Sequence, residues 1–244
     1  MRIQFLGTGD AFGSGGRLQT CFLLHAEGTQ ILVDCGTTAL IAMRRFGVDP
    51  NDISAIVLTH LHGDHFGGIP FVILDGQVVS KRTTSLLIAG PPSTRERLSQ
   101  AMEVLFPGSS TVQRGFPVEV VSLQPGRSER IGSLTVTPHL VNHASGAPAF
   151  ALRFGCAGKV IAYSGDTEWT EELADAGQGA DLFIAESYFY NKPIRYHLDY
   201  ATLVVQLPKL NPKRVVLTHA STDMLNHLTE VRHEMAYDGM VIEV

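Results

Sequence analysis

Apolar residues fall into short runs along this chain, separated by polar and glycine-containing breaks. In the first half, Ile3–Leu6, Cys21–His25, Gln30–Asp34, Ala55–Thr59 and Ser85–Ala89 read as strands, because short apolar runs bounded by polar residues suit buried strands better than helices. The second half repeats the style at Val118–Leu123, Leu134–Val141, Phe150–Phe154, Val160–Ser164, Leu182–Ala185 and Val215–Thr218. Helices are predicted over Thr38–Phe46, Thr94–Leu105, Tyr200–Leu207 and Asn226–Tyr237. Two strand-rich halves, each with helices, predict a layered α/β architecture. Pro107-Gly108-Ser109-Ser110 reads as a loop. No linker or low-complexity segment divides the chain, so residues 1–244 read as one domain.

The chemistry sits where one of these strands ends. Ile53-Ser54-Ala55-Ile56-Val57-Leu58 runs directly into Thr59-His60-Leu61-His62-Gly63-Asp64-His65-Phe66-Gly67-Gly68. Three imidazoles and a carboxylate thus stand within residues 60–65, on a turn that a rigid strand can hold in place. Residues two apart in an extended segment point to the same side, so His60 and His62 can chelate one ion. Asp64 and His65 lie past the turn and can hold a second. Ions about 3.5–4 Å apart form the clamp used to hydrolyse esters and phosphodiesters. Imidazole and carboxylate without thiolate suit Zn²⁺, and also Mn²⁺, Fe or Ni²⁺.

The pattern His60-x-His62-x-Asp64-His65 resembles the signature of the metallo-β-lactamase superfamily, and the longer stretch from Thr59 to Gly68 is most similar to its ribonuclease Z branch. Phe5-Leu6-Gly7-Thr8-Gly9, Asp34-Cys35-Gly36 and Ile88-Ala89-Gly90-Pro91 resemble further motifs of that branch, in the same order. The resemblance implies a four-layer αββα sandwich, two mixed sheets flanked by helices, with the site at one edge between the sheets.

Further ligands are expected at strand ends in the second half. Asn142-His143, Ser164-Gly165-Asp166-Thr167 and Leu217-Thr218-His219 each match a family motif. The resemblance implies two divalent ions, zinc first with manganese or iron as alternatives. His60, His62 and His143 would hold one, and Asp64, His65 and His219 the other. Asp166 would bridge them, since a carboxylate has an oxygen for each ion. His143 is preferred to His139 because it closes its strand, whereas His139 lies inside the run. His25 alternates within a strand, and His227 and His233 fall in the last predicted helix; all three read as surface or packing residues.

After Leu182-Phe183-Ile184-Ala185 comes Glu186, and His197 follows in Arg195-Tyr196-His197-Leu198. The resemblance places such a pair beside the metals. A carboxylate fixes an imidazole's tautomer and raises its pKa, and the protonated ring can donate to a leaving alkoxide or a phosphoryl oxygen. The bland alternative for His197 is a residue capping the helix that begins at Tyr200. The small residues usual in the family after Glu186 are replaced by Ser187 and Tyr188, and Leu198 stands where a hydroxyl residue is usual.

With Asp64, Glu186 and His197 as catalytic candidates, the expectation is a dinuclear metal-dependent hydrolase of small or cyclic phosphodiesters, working through a hydroxide shared by the ions. Lactone, thioester or β-lactam hydrolysis is an alternative, with Tyr163, Tyr188 or Tyr190 available near the ions. A tRNA 3′-processing ribonuclease Z without its usual arm is another, and a non-catalytic metal-binding module comes last. The tract between His143 and Asp166 is short, with room only for two strands about Gly155-Cys156-Ala157-Gly158, whereas the tRNA-processing relatives carry a long basic arm.

Charge agrees. The net charge is −5 and the pI about 6.0, which supplies no overall field for phosphate-rich partners, so nucleic acid is not the favoured partner. Cys21, Cys35 and Cys156 are odd in number and widely spaced. They read as buried small hydrophobes rather than a disulfide framework. Met1–Gly7 is too short and polar for a signal peptide, and no apolar run reaches membrane-spanning length; a cytoplasmic protein is expected. A homodimer is expected by family analogy only.

Overall fold

A computed structural model describes residues 1–244. Its first sheet is built from β1 (Arg2–Gly7), β2 (Cys21–Ala26), β3 (Thr29–Val33), β4 (Ala55–Val57), β5 (Leu86–Gly90) and β6 (Val118–Ser122). The second contains β7 (Glu129–Ile131), β8 (Leu134–Val141), β9 (Ala149–Cys156), β10 (Lys159–Tyr163), β11 (Leu182–Glu186), β12 (Val215–Thr218) and β13 (Glu234–Met235). The last strand, β14 (Val241–Glu243), returns to the first sheet beside β1. Strand orders are β14-β1-β2-β3-β4-β5-β6 and β13-β12-β11-β10-β9-β8-β7. Both sheets are mixed: β3 to β6 and β10 to β13 run parallel, and the neighbouring strands pair antiparallel.

The helices are α1 (Ala39–Arg45), α2 (Gly63–Phe66), α3 (Ile69–Val78), α4 (Thr94–Leu105), α5 (Glu171–Gly177), α6 (Tyr200–Leu210) and α7 (Thr222–Asn226). Three apolar clusters define the layers. Phe5, Phe22, Leu24, Phe150, Leu152 and Ile184 belong to the core between the sheets. Cys21, Leu23 and Leu32 on the opposite face pack with α1, α3 and α4. Ala149, Ala151, Phe183 and Ala185 pack with α5, α6 and α7. Strands such as β2, β9 and β11 are therefore buried on both faces, which is why they read as unbroken apolar runs rather than as alternating ones. The expected αββα sandwich is the observed one.

One expected element is overturned. Asn226–Tyr237 is not a helix: α7 ends at Asn226, turns follow, and Glu234 and Met235 pair with Val216 and Leu217 as β13. The open edge of β12 offers Glu234 and Met235 ladder hydrogen bonds, and these outweigh the helical spacing of Leu228, Val231 and Met235. His227 and His233 are thus not helical; His227 stacks on Tyr190 and His233 lies 3.0 Å from the Tyr200 hydroxyl. Four helices were not predicted from the sequence: the short α2 and α7, and the longer α3 and α5. In α3 apolar residues surround the axis, so it shows no stripe. In α5 the cue was a Thr170 cap accepting from Leu173 N, with Glu171 and Glu172 in the first turn. No helix is long and apolar enough to cross a membrane.

Candidate metal centre

Parallel strands deliver side chains at their C-terminal ends. Asp34 follows β3, His60 lies just beyond β4, Asp166 beyond β10, Glu186 ends β11 and His219 follows β12. The sheets are stitched at this end by Phe150 N donating to Thr59 O at 2.9 Å and His219 N donating to Thr8 O at 3.0 Å. Six-residue motif and distant strand ends are thereby brought to one place.

The local path explains the motif. His60 to His62 are extended, and the chain then turns into α2, which carries Asp64 and His65. The rings of His60 and His62 stand 4.9 Å apart and both face His143, at 4.7 and 4.8 Å. Ligand-type atoms of His60, His62 and His143 lie within 4.8 Å of one another; those of Asp64, His65, Asp166 and His219 form a second such group. Asp166 reaches both: its carboxylate is 3.9 Å from His60 Nε2, 3.3 Å from His65 Nε2 and 3.4 Å from His219 Nε2. His139 stays within β8, outside either group.

Hydrogen bonds fix which nitrogen faces inward. Asp34, fully buried, accepts from His65 Nδ1 at 2.8 Å and from Thr59 N and Oγ1. The Thr59 hydroxyl, donating to Asp34, accepts from His60 Nδ1 at 3.0 Å. One carboxylate thus orients an imidazole in each group and turns both Nε2 atoms towards the centre. His143 Nδ1 donates to Tyr196 O at 2.8 Å, which likewise frees its Nε2. Asp34 and His219 both have left-handed backbones, φ 58° and 56°. Such strain in non-glycine residues gathers at functional sites.

The electrostatics divide the cluster. Burial and then the neighbouring His65 push His60 well below the usual imidazole range, and burial lowers His143. Both therefore present neutral lone pairs. In the acidic half, burial would lower His219, but Asp166 and Asp64 outweigh it and raise it to about 9. Burial would also raise Asp64 and Asp166, yet the adjoining imidazoles hold both carboxylates well below their usual range. His60 Nε2 and Asp166 Oδ1 are buried without a hydrogen-bond partner. Buried unpaired polar atoms are costly. Their convergence, with an imidazole–carboxylate donor set, fits divalent cations.

Glu186 and His197 come to the same place. His197 Nδ1 hydrogen-bonds Glu186 Oε1, while Glu186 Oε2 accepts from Thr167 N and Leu198 N. Burial alone would lower His197, but the hydrogen bond and charge of Glu186 raise it. The cap of α6 is Asp199, not His197. Tyr188 stacks on the His197 ring at 4.7 Å, and both line a cavity of about 200 Å³ with Ala11, Phe12, His62, Asp64, Asp166 and His219. Tyr163 is buried in the central core, and Tyr190 stacks on His227. The roles of Asp34, Thr59 and the Tyr196 carbonyl were not read from sequence. The available signal for Asp34 was a carboxylate closing the apolar run of β3.

Residues 1–237 match the profile of a family described as "Anti-Pycsar protein Apyc1". The chain belongs to that family. A ribonuclease Z from Haloferax volcanii is 35% identical over 155 residues, 62% of this chain and 46% of that protein's length. A ribonuclease Z from Methanosarcina acetivorans is 26% identical over 269 residues, covering 91% of this chain and 88% of that protein. Among solved structures, a diphosphatase of the PhnP family superposes with a TM-score of 0.82 at 20% identity, covering 100% of this chain and 97% of that one. This member of the Apyc1 family thus lies on the ribonuclease Z-like branch of the metallo-β-lactamase superfamily and is a metal-dependent hydrolase.

Proposed function

We propose that the chain is a phosphodiesterase acting on small or cyclic phosphodiesters. Two divalent ions would be held, one by His60, His62 and His143 and the other by Asp64, His65 and His219, with Asp166 between them. Zinc is the first choice, with manganese or iron as alternatives. When bound, such ions lower the pKa of a shared water towards neutrality and offset charge on phosphoryl oxygens.

The observation that carries the reading is His197, held from behind by the buried Glu186, on the wall of the same cavity as Asp64 and Asp166. Glu186 occupies Nδ1 of His197, so Nε2 is the edge left to meet substrate. Glu186 raises the His197 pKa, which favours the protonated ring that can donate to a phosphoryl oxygen or to the departing alkoxide. Asp34 and Thr59 hold His65 and His60 in register, and the Tyr196 carbonyl holds His143.

A small substrate is supported by the cavity's volume, by the net charge of −5, and by the β9–β10 hairpin, which turns directly at Ala157-Gly158 and carries no arm. The second reading is lactone or thioester hydrolysis, favoured by Tyr188 in the cavity wall. RNA cleavage is the third, since the relatives are named ribonuclease Z.

The test is hydrolysis of bis(p-nitrophenyl) phosphate, a lactone panel and a pre-tRNA by metal-stripped protein reloaded separately with Zn²⁺, Mn²⁺ and Fe²⁺, with Asp64→Ala as control. Metal-dependent diester turnover that disappears in the variant is expected. Two ions bound per chain with lactone turnover and none on diesters would overturn the reading.

A further inference from the structure

We infer that Phe12 is a stacking wall that selects substrates bearing a flat aromatic ring next to the phosphoryl group. The inference rests on the phosphodiesterase reading above. Phe12 is 83% exposed, yet it lines the cavity that holds His62, Asp64, Asp166, His197 and His219. Exposed apolar residues scattered singly over a surface are ordinary. This one is held in place at the mouth of a charged cavity.

The loop that presents it is built, not slack. Asp10, itself 1% exposed, accepts from Phe12 N at 3.2 Å, from Ser14 N at 2.9 Å and from Ser14 Oγ at 2.7 Å. Asp238 accepts from Thr8 N at 2.9 Å and Leu18 N at 2.8 Å, which closes the two ends of the loop. Gln19 Nε2 donates to Ala11 O at 3.2 Å. Gly15, at φ 67°, seats the turn against α7: a Cβ there would lie 2.7 Å from Leu225 Cδ1. Since α7 begins just after His219, the loop carrying Phe12 is packed on the corner that carries a candidate ligand.

The two aromatic rings of the cavity differ in what they have left to give. Tyr188 already spends a face on His197. Phe12 leaves its ring open. A phosphoryl group drawn to the His/Asp cluster places its organic substituent against the cavity wall. An alkyl substituent gains little from Phe12, whereas a flat ring gains an offset stack, worth about 5- to 10-fold in affinity.

The experiment compares phenyl phosphate with methyl phosphate, by calorimetric titration of metal-loaded wild type, Phe12→Ala and Phe12→Trp. Wild type should prefer phenyl phosphate by about 5- to 10-fold; Phe12→Ala should erase the preference without weakening methyl phosphate; Phe12→Trp should restore it. In turnover of bis(p-nitrophenyl) phosphate, Phe12→Ala should raise KM and leave kcat in place. No ring preference in wild type, or the same preference in Phe12→Ala, would overturn the inference. So would a Phe12→Ala protein that loses a dimer by sedimentation and weakens both ligands alike, because Phe12 would then be a subunit contact. A ring preference that depends on Phe12 in a protein inactive on every diester would remove the phosphodiesterase reading and leave Phe12's role standing.

Discussion

Asp34 Oδ2 lies 2.8 Å from Nδ1 of His65, and both side chains are fully buried. The same carboxylate reaches His60 through the Thr59 hydroxyl. A residue outside both ligand groups therefore sets the ring orientation in each. Replacing Asp34 with Asn tolerates the left-handed backbone and can keep one acceptor oxygen for His65 Nδ1 and the Thr59 hydroxyl, but it removes the charge and sets an amide NH2 where Thr59 N donates. Metal affinity should fall about 10- to 100-fold with the fold intact, measured by competition with a chromophoric chelator. An unchanged affinity would mean that the charge of Asp34 does not act on the ions.

Metal uptake should release protons. His219 in the ligand-free protein titrates at about 9, so at pH 7.5 it is protonated, and a cation must displace that proton to reach Nε2. His65 is also raised, since Asp166, Asp34 and Asp64 outweigh the effect of burial. The sign follows: apparent affinity rises with pH from neutrality through about 9, as His219 loses its proton. Calorimetric titration in buffers of different ionisation enthalpy reads the number released. Uptake without protons at pH 7.5 would contradict the charge state assigned to this half of the site.

Glu186→Gln should move the pH profile more than the metal content. Without the carboxylate, burial dominates and the His197 pKa drops. Its protonated form is then lost at lower pH, and the alkaline limb of kcat shifts towards acid. At pH 8 the loss should be about 100-fold, within the range for an impaired general acid. Profiles of kcat, with metal counted by mass spectrometry, check it; a parallel loss of ions would make Glu186 a structural support rather than a tuner of His197.

Gly165 is fixed by geometry. It sits at φ 59°, and a Cβ would lie 2.6 Å from Phe150 O, a backbone atom of β9 in the residue whose N–H donates to Thr59 O. Gly165→Ala should cost at least about 2 kcal/mol and lower Tm by roughly 4–8 °C. Because Asp166 is the next residue, metal affinity should fall as well. Thermal melts of the ligand-free and metal-loaded protein measure both; an unchanged Tm would show that Phe150 can withdraw freely.

The sequence by itself determined the features written locally. His60 to His65 fall within one strand-turn-helix, so backbone geometry alone brings these four side chains close, and no distant contact is needed to recognise them. Runs such as Leu182–Ala185 and Val215–Thr218 revealed buried strands because both faces of each sheet are covered. His143, Asp166 and His219 could be located as strand ends, but their meeting at one point depends on two sheets packing face to face, a long-range arrangement that residue spacing does not encode. The same holds for Asp34, Thr59 and Tyr196, whose roles come from hydrogen bonds across sequence or between turns. Only the tertiary structure decided the fate of residues 226–237. Local pattern allowed a helix there, but the open edge of β12 supplied backbone partners that the segment could not otherwise obtain. Phe12 follows the same rule: in the sequence it is one phenylalanine among twelve, and its position at the cavity mouth is set by Asp10, Asp238 and Leu225, which the fold brings to it.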